Sequence, residues 1–115
     1  MQRFKNWKEP LFDSNGWAYN GDRKYGWVCQ YSEGLKLGKY VDIGFGTYIN
    51  SHYGVTIEDN VQIGSHCSIY SDNTENNTHG PVVIEEGTLI GSFSLILPNT
   101  IIKKNSKIRA YTVIK

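Results

Sequence analysis

Aliphatic residues fall on a six-residue register along most of this chain. The anchors run Leu37, Ile43, Ile49; then Ile57, Ile63, Ile69; then Ile84, Ile90, Ile96, Ile102, Ile108 and Ile114. Eleven of the twelve isoleucines sit on it, and only Ile101 stands off. On an α-helix, residues six apart point about 120° away from one another. On an extended chain the side-chain period is two, so they face the same way. The pattern therefore predicts short strands, each burying one anchor, repeated as the faces of a parallel β-solenoid. The fourth position after each anchor is small or β-branched: Val41, Thr47, Val61, Cys67, Thr88, Ser94, Thr100, Ser106 and Thr112. Such residues suit an inward position beside a sharp corner, and β-branching suits the strands. The position directly after the anchor is often Gly or acidic, as at Gly38, Gly44, Glu58, Gly64, Glu85 and Gly91. The expectation for these glycines is that they supply a positive φ at the corner.

The register breaks twice, with two extra residues between Ile49 and Ile57 and nine between Ile69 and Ile84. Three repeats precede each break. Three flat faces close one triangular coil, so both insertions leave from the same corner in successive coils, about 5 Å apart along the axis. The longer insertion, 71–81, has no apolar side chain and is expected to project into solvent. The predicted fold is all-β: a β-helix of about four triangular coils over residues 37–115, with insertions at 50–56 and 71–81. An irregular, aromatic-rich N-terminal cap precedes it at 1–36. Trp7, Trp17 and Trp27 in that segment are expected to cover the open end of the solenoid rather than form a ligand-stacking row.

Composition narrows the function classes. At 115 residues, 39% apolar and a mean hydropathy of -0.43, the chain suits one domain with a narrow core column. A net charge of +1 gives no prior for nucleic acid or an anionic membrane. No apolar run approaches the roughly 20 residues of a membrane span, and the N-terminal residues have no signal-peptide core. Cys29 and Cys67 lack metal-ligand spacing and read as buried, reduced thiols of a cytoplasmic protein.

The motif [LIV]-[GAED]-x-x-[STAV]-x, present as IGSHCS at 63–68 and IGSFSL at 90–95, resembles that of the hexapeptide-repeat acyltransferases. So does PVVIEEGTLIGSFSLILP at 81–98, which is similar to the coils that follow the active-site loop in that family. The resemblance covers residues 37–115. It implies a left-handed parallel β-helix, a homotrimer of parallel prisms and active sites at the subunit junctions. It also implies transfer of an acetyl group from acetyl-CoA to an amine or hydroxyl, with a sugar or nucleotide-linked sugar as acceptor in carbohydrate biosynthesis. No metal is expected.

Such chemistry needs a general base near neutral pKa, for which histidine is suited. His79, in the long insertion, is the first candidate. His66 is its main rival; it lies three residues after Ile63 and is expected to point outward at a different corner. His52, in the short insertion, is the third. Glu75 is a candidate to orient an imidazole, and Asn73, Asn76 and Asn77 to hydrogen-bond sugar hydroxyls, although exposed turns also select asparagine. The resemblance implies an oxyanion donor among the backbone N–H groups near Gly91 or Ser92. Lys103, Lys104 and Arg109, with Lys107 and Lys115, are candidates for coenzyme A phosphates, or else form a solvated basic face. Two other functions stay open: a metal enzyme like the γ-class carbonic anhydrases, with three histidines meeting at a subunit junction, and a non-catalytic solenoid binding module.

Overall fold

The structure, a computed structural model, describes residues 6–115. It is a parallel β-solenoid of four stacked coils, consistent with a left-handed β-helix. Face I stacks Leu35–Leu37, Val55–Ile57, Val82–Ile84 and Thr100–Ile102. Face II stacks Asp42–Ile43, Gln62–Ile63, Leu89–Ile90 and Lys107–Ile108. Face III stacks Tyr48–Asn50, Ser68–Tyr70, Leu95–Ile96 and Val113–Ile114. The predicted register is the observed one. Leu37, Ile57, Ile84 and Ile102 are successive cross-strand partners. The same holds for Ile43, Ile63, Ile90 and Ile108, and for Ile49, Ile69, Ile96 and Ile114.

These three columns are the core. Ile49, Ile57, Ile69, Ile84 and Ile96 are wholly buried, each worth about 1.5–3 kcal/mol of burial. Leu37, Ile108 and Ile114, in the terminal coils, are only partly covered. Val41, Thr47, Val61, Cys67, Thr88, Ser94 and Thr100 are buried beside the corners as expected. Their hydroxyls find carbonyls of neighbouring backbone: Thr47 Oγ1 donates to Gly64 O at 2.8 Å and Ser94 Oγ to Arg109 O at 3.1 Å. A buried hydroxyl without such a partner would destabilise the fold.

The positive φ of the corners does not fall where expected. It lies on the third residue after the anchor, at Tyr40, Asn60, His66, Phe93, Asn99, Asn105 and Tyr111, with φ between 55° and 63°. Glycine takes that position only at Gly46 and Gly87. Gly38, Gly44, Gly64 and Gly91, directly after their anchors, serve close approach instead. A Cβ on Gly64 would stand 2.6 Å from the Ser92 amide nitrogen one coil on, and one on Gly91 would stand 2.3 Å from the Ala110 nitrogen. The acidic version of this position has its own reason. Glu58 Oε1 accepts the Glu86 N–H at 3.1 Å, and Glu85 Oε1 accepts the Lys104 N–H at 3.0 Å, tying consecutive coils at the corner between faces I and II.

The N-terminal segment is more regular than its composition suggests. Leu11–Phe12, Trp17–Asn20 and Arg23–Gln30 form an antiparallel meander. Its last strand pairs parallel with Tyr48–Asn50, with Cys29 opposite Ile49. The stacking of face III thus begins before Leu37. Two turns explain this order: Asp13 Oδ1 accepts the N–H groups of Asn15 and Trp17, and Gly21, at φ 59°, opens the short link between paired Asn20 and Arg23. Trp27 is buried edge-on against Phe12, and the Trp7 indole N–H donates to Val41 O at 2.9 Å. Trp17 stays 46% exposed, so two of the three tryptophans cover the prism.

Candidate functional site at the interrupted corner

Both interruptions leave the solenoid at the corner between faces III and I, one above the other. The short one turns at 51–54, where Gly54 N–H donates to Ser51 O at 3.0 Å. The long one is a hairpin, Asp72–Asn73 against Thr78–His79, with its tip in solvent. Buried Ser71 ties the two together. Its hydroxyl donates to Asn50 O at 2.7 Å and accepts the Tyr53 N–H at 3.0 Å. The base of the hairpin is closed by Gly80 N–H to Ser71 O at 2.9 Å and by Asn99 Nδ2 to His79 O at 3.1 Å.

A row of rings runs along this corner. Tyr31, from the link between the N-terminal meander and face I, stacks on His52 with centroids 4.2 Å apart and planes 13° apart. His52 meets Tyr53 at 4.5 Å, and Tyr53 stacks on His79 at 4.3 Å and 24°. Beside the row, His52 Nδ1 lies 3.4 Å from Asp72 Oδ2, an ion pair when the imidazole is protonated. The His52 side chain is 42% exposed and that of Asp72 25%, so the pair borders solvent without being immersed in it.

The residues singled out from sequence divide among three corners. His52 and His79 share the interrupted corner, linked through Tyr53. The carboxylate against an imidazole belongs to Asp72; Glu75 stands at the hairpin tip, its N–H donating to Asn73 Oδ1 at 3.3 Å. Asn76 accepts the Thr78 hydroxyl at 2.6 Å, and Asn77 carries a left-handed φ of 55°, so both build the turn. Asn73 is half-buried and lines a cavity beneath the hairpin.

His66 points outward at the corner between faces II and III, as expected. There it stacks on Phe93 at 5.2 Å and 7°, and Phe93 on Tyr111 at 5.2 Å and 5°. Gly91, Ser92 and Arg109 are at the same corner. The Gly91 N–H donates to Ile108 O at 2.8 Å, which commits it to the coil ladder and removes it as an oxyanion donor. Ser92 Oγ accepts the Ser65 N–H at 3.1 Å. Lys103 and Lys104 lie at the third corner, between faces I and II, so the basic residues of the last coil are not one cluster.

Asp72, Tyr31 and Tyr53 were not singled out from sequence. A signal for Asp72 existed: His52 is the third residue after Ile49 and Asp72 the third after Ile69, so equal offsets in adjacent coils stack them. Cys29 and Cys67 are free and buried. Burial pushes the Cys29 thiol above its ordinary pKa, opposed by a hydrogen bond with Ser51. Among the described residues, no group of three or more His, Cys, Asp or Glu could hold a metal ion, and no helix is long and apolar enough to cross a membrane.

Neither curated proteins nor solved structures give a match to this chain. Residues 81–115, the last two coils, match the family described as "Bacterial transferase hexapeptide (six repeats)", and the six anchors from Ile84 to Ile114 account for those six repeats.

Proposed function

We propose that the chain is an acyltransferase that moves an acetyl group from acetyl-CoA to an amine or hydroxyl of a sugar-like acceptor, with His52 as general base. The observation that carries this reading is the contact of His52 Nδ1 with Asp72 Oδ2 across two consecutive coils, where the repeat is interrupted. A carboxylate on Nδ1 favours the tautomer protonated there and leaves the Nε2 lone pair for the acceptor's proton. Tyr31, stacked on the ring, restricts its plane. As the acceptor attacks the thioester carbonyl, Nε2 takes its proton; as the C–S bond breaks, the imidazolium returns a proton to the leaving thiolate.

The fold and the match of the last two coils to a transferase family support the reaction class. A homotrimer with sites at subunit junctions accords with a corner site open on one side. In such an arrangement His66, Ser92 and Arg109 of one copy border the face that lies beside the interrupted corner. The metal-enzyme alternative requires three histidines to meet, and His66 is on another corner from His52 and His79 within the chain.

The test is release of free thiol from acetyl-CoA in the presence of sugar acceptors. Parent protein is expected to turn over, and His52→Ala to lose about 10²–10⁴-fold in rate. Full activity in His52→Ala, with loss in His79→Ala, would move the base to the long insertion.

A further inference from the structure

Two cavities flank the ring row of the interrupted corner, and their linings carry the same charge. The one on the N-terminal side, of 480 Å³, is lined by Asp13, Ser14, Asn15, Gln30, Tyr31 and Glu33 among others. The one beneath the long hairpin, of 360 Å³, is lined by Tyr70, Asp72, Asn73, Thr74, Glu75, Leu95 and Leu97. Each lining holds two carboxylates, and neither holds a lysine or arginine.

We propose that the acceptor of this site is a small unphosphorylated amine, bound as its ammonium in the cavity beneath the hairpin, and not a phosphorylated or nucleotide-linked sugar. This rests on the acyltransferase reading above. The cavity beneath the hairpin is singled out because Asp72 is shared: one carboxylate lines the cavity and touches the imidazole. Its floor, Tyr70, Leu95 and Leu97, offers an aromatic and aliphatic surface to the apolar face of a ring. Its wall, Asp72, Asn73 and Glu75, offers acceptors to hydroxyl and ammonium hydrogens, the mix of apolar lining and few polar groups that small-ligand sites use. A phosphate placed there would lie within about one Debye length, roughly 8 Å, of two carboxylates with no cation in the lining to offset them. An ammonium finds the opposite.

The transfer balances as follows. The bound ammonium loses one proton to solvent. The nitrogen lone pair of the free amine then forms the C–N bond at the thioester carbonyl carbon, and a second proton passes to His52 Nε2. The C–S bond breaks with its electron pair on sulfur, and the imidazolium protonates that sulfur. The products are an acetamide, the free thiol of coenzyme A and one proton.

Titration of the full chain with glucosamine, glucosamine 6-phosphate and glucose, followed by amide NMR shifts at 72–75, tests the charge preference without requiring turnover. Glucosamine is expected to bind about tenfold or more tighter than its 6-phosphate. Glu75→Gln is expected to weaken glucosamine several-fold and leave glucose unchanged. Equal or tighter binding of the phosphate overturns the inference, as does absence of binding by either amine. Thiol release from acetyl-CoA is read separately. Amine-selective binding with no thiol release would defeat the acyltransferase reading and leave the charge preference standing. Turnover that favours the phosphorylated acceptor would do the reverse.

Discussion

The two corners that border face III are built on one repeat and have opposite characters. Between faces II and III every coil turns within its hexapeptide, and the third residue after the anchor takes the left-handed conformation: Gly46, His66, Phe93, Tyr111. Equivalent side chains therefore sit one above another, and three rings stack nearly parallel. Between faces III and I the repeat is interrupted in two successive coils. There the chain is free of the corner geometry, and unlike residues meet: an imidazole against a carboxylate, with tyrosines on both sides. The regular corner makes like stack on like. The interrupted corner makes a chemical pair. His66 and His52 are the same residue type at the same offset from an anchor, and the insertion separates their surroundings.

Exchange of these two histidines is the sharpest way to break the comparison. His52→Ala is expected to remove about 10²–10⁴-fold of acetyl transfer, while His66→Ala keeps near-parent turnover. Asp72→Asn, which leaves the shape and removes the charge on Nδ1, is expected to fall between them, with the loss in kcat rather than KM. Steady-state thiol release measures all three. An inactive His66→Ala alongside an active His52→Ala would transfer the chemistry to the regular corner.

The core beneath both corners is common to them, and its energetics follow position along the axis. Ile69 is wholly buried between flanking coils, and Ile69→Ala is expected to cost about 2–5 kcal/mol in denaturant unfolding. Ile114, in the last coil, has a neighbour on one side only and is half-buried. Its alanine variant is expected to cost clearly less. Equal costs would mean that the last coil is covered by something further, such as another subunit.

The fold was legible because its cause is one-dimensional. Anchors at a fixed interval, small residues at a fixed offset and two counted breaks determine which strands pair and where the insertions emerge. The corner geometry was less legible, since a glycine after the anchor has two physical uses, and spacing alone does not separate close approach from positive φ. Gly64 shows the former. The site was legible as a place and not as a pair. A histidine in a long polar loop draws attention, yet His79 lies flat on Tyr53, and the orienting carboxylate is Asp72 and not Glu75. The N-terminal contribution was hidden, because nothing in the sequence around Tyr31 says that the meander continues face III and delivers that ring to the same corner.

Gly64 permits a further comparison within the regular corner. A methyl group there meets the Ser92 amide nitrogen at 2.6 Å, and neither backbone has room to yield without moving a coil. Gly64→Ala is expected to cost about 1–3 kcal/mol, in the range of overpacking. An unchanged unfolding midpoint would mean that the coils are less tightly nested than the structure has them.

The smallest expected effect isolates the stacking itself. Phe93 holds a left-handed φ of 62° that a bulky residue adopts at a cost, and its ring lies between those of His66 and Tyr111. Phe93→Ala loses the stack and keeps the unfavourable backbone, so it is expected to destabilise by about 0.5–1.5 kcal/mol. Phe93→Asn also loses the stack but places there a residue that tolerates the left-handed region, as Asn60 and Asn105 do elsewhere in this chain. It is expected to destabilise less than alanine. The difference between the two variants, read from denaturant midpoints, separates what the rings contribute from what the corner demands of the backbone. If asparagine is the worse substitution, the rings are there for another reason, and a contact made through that corner in an assembly becomes the stronger explanation of the ladder.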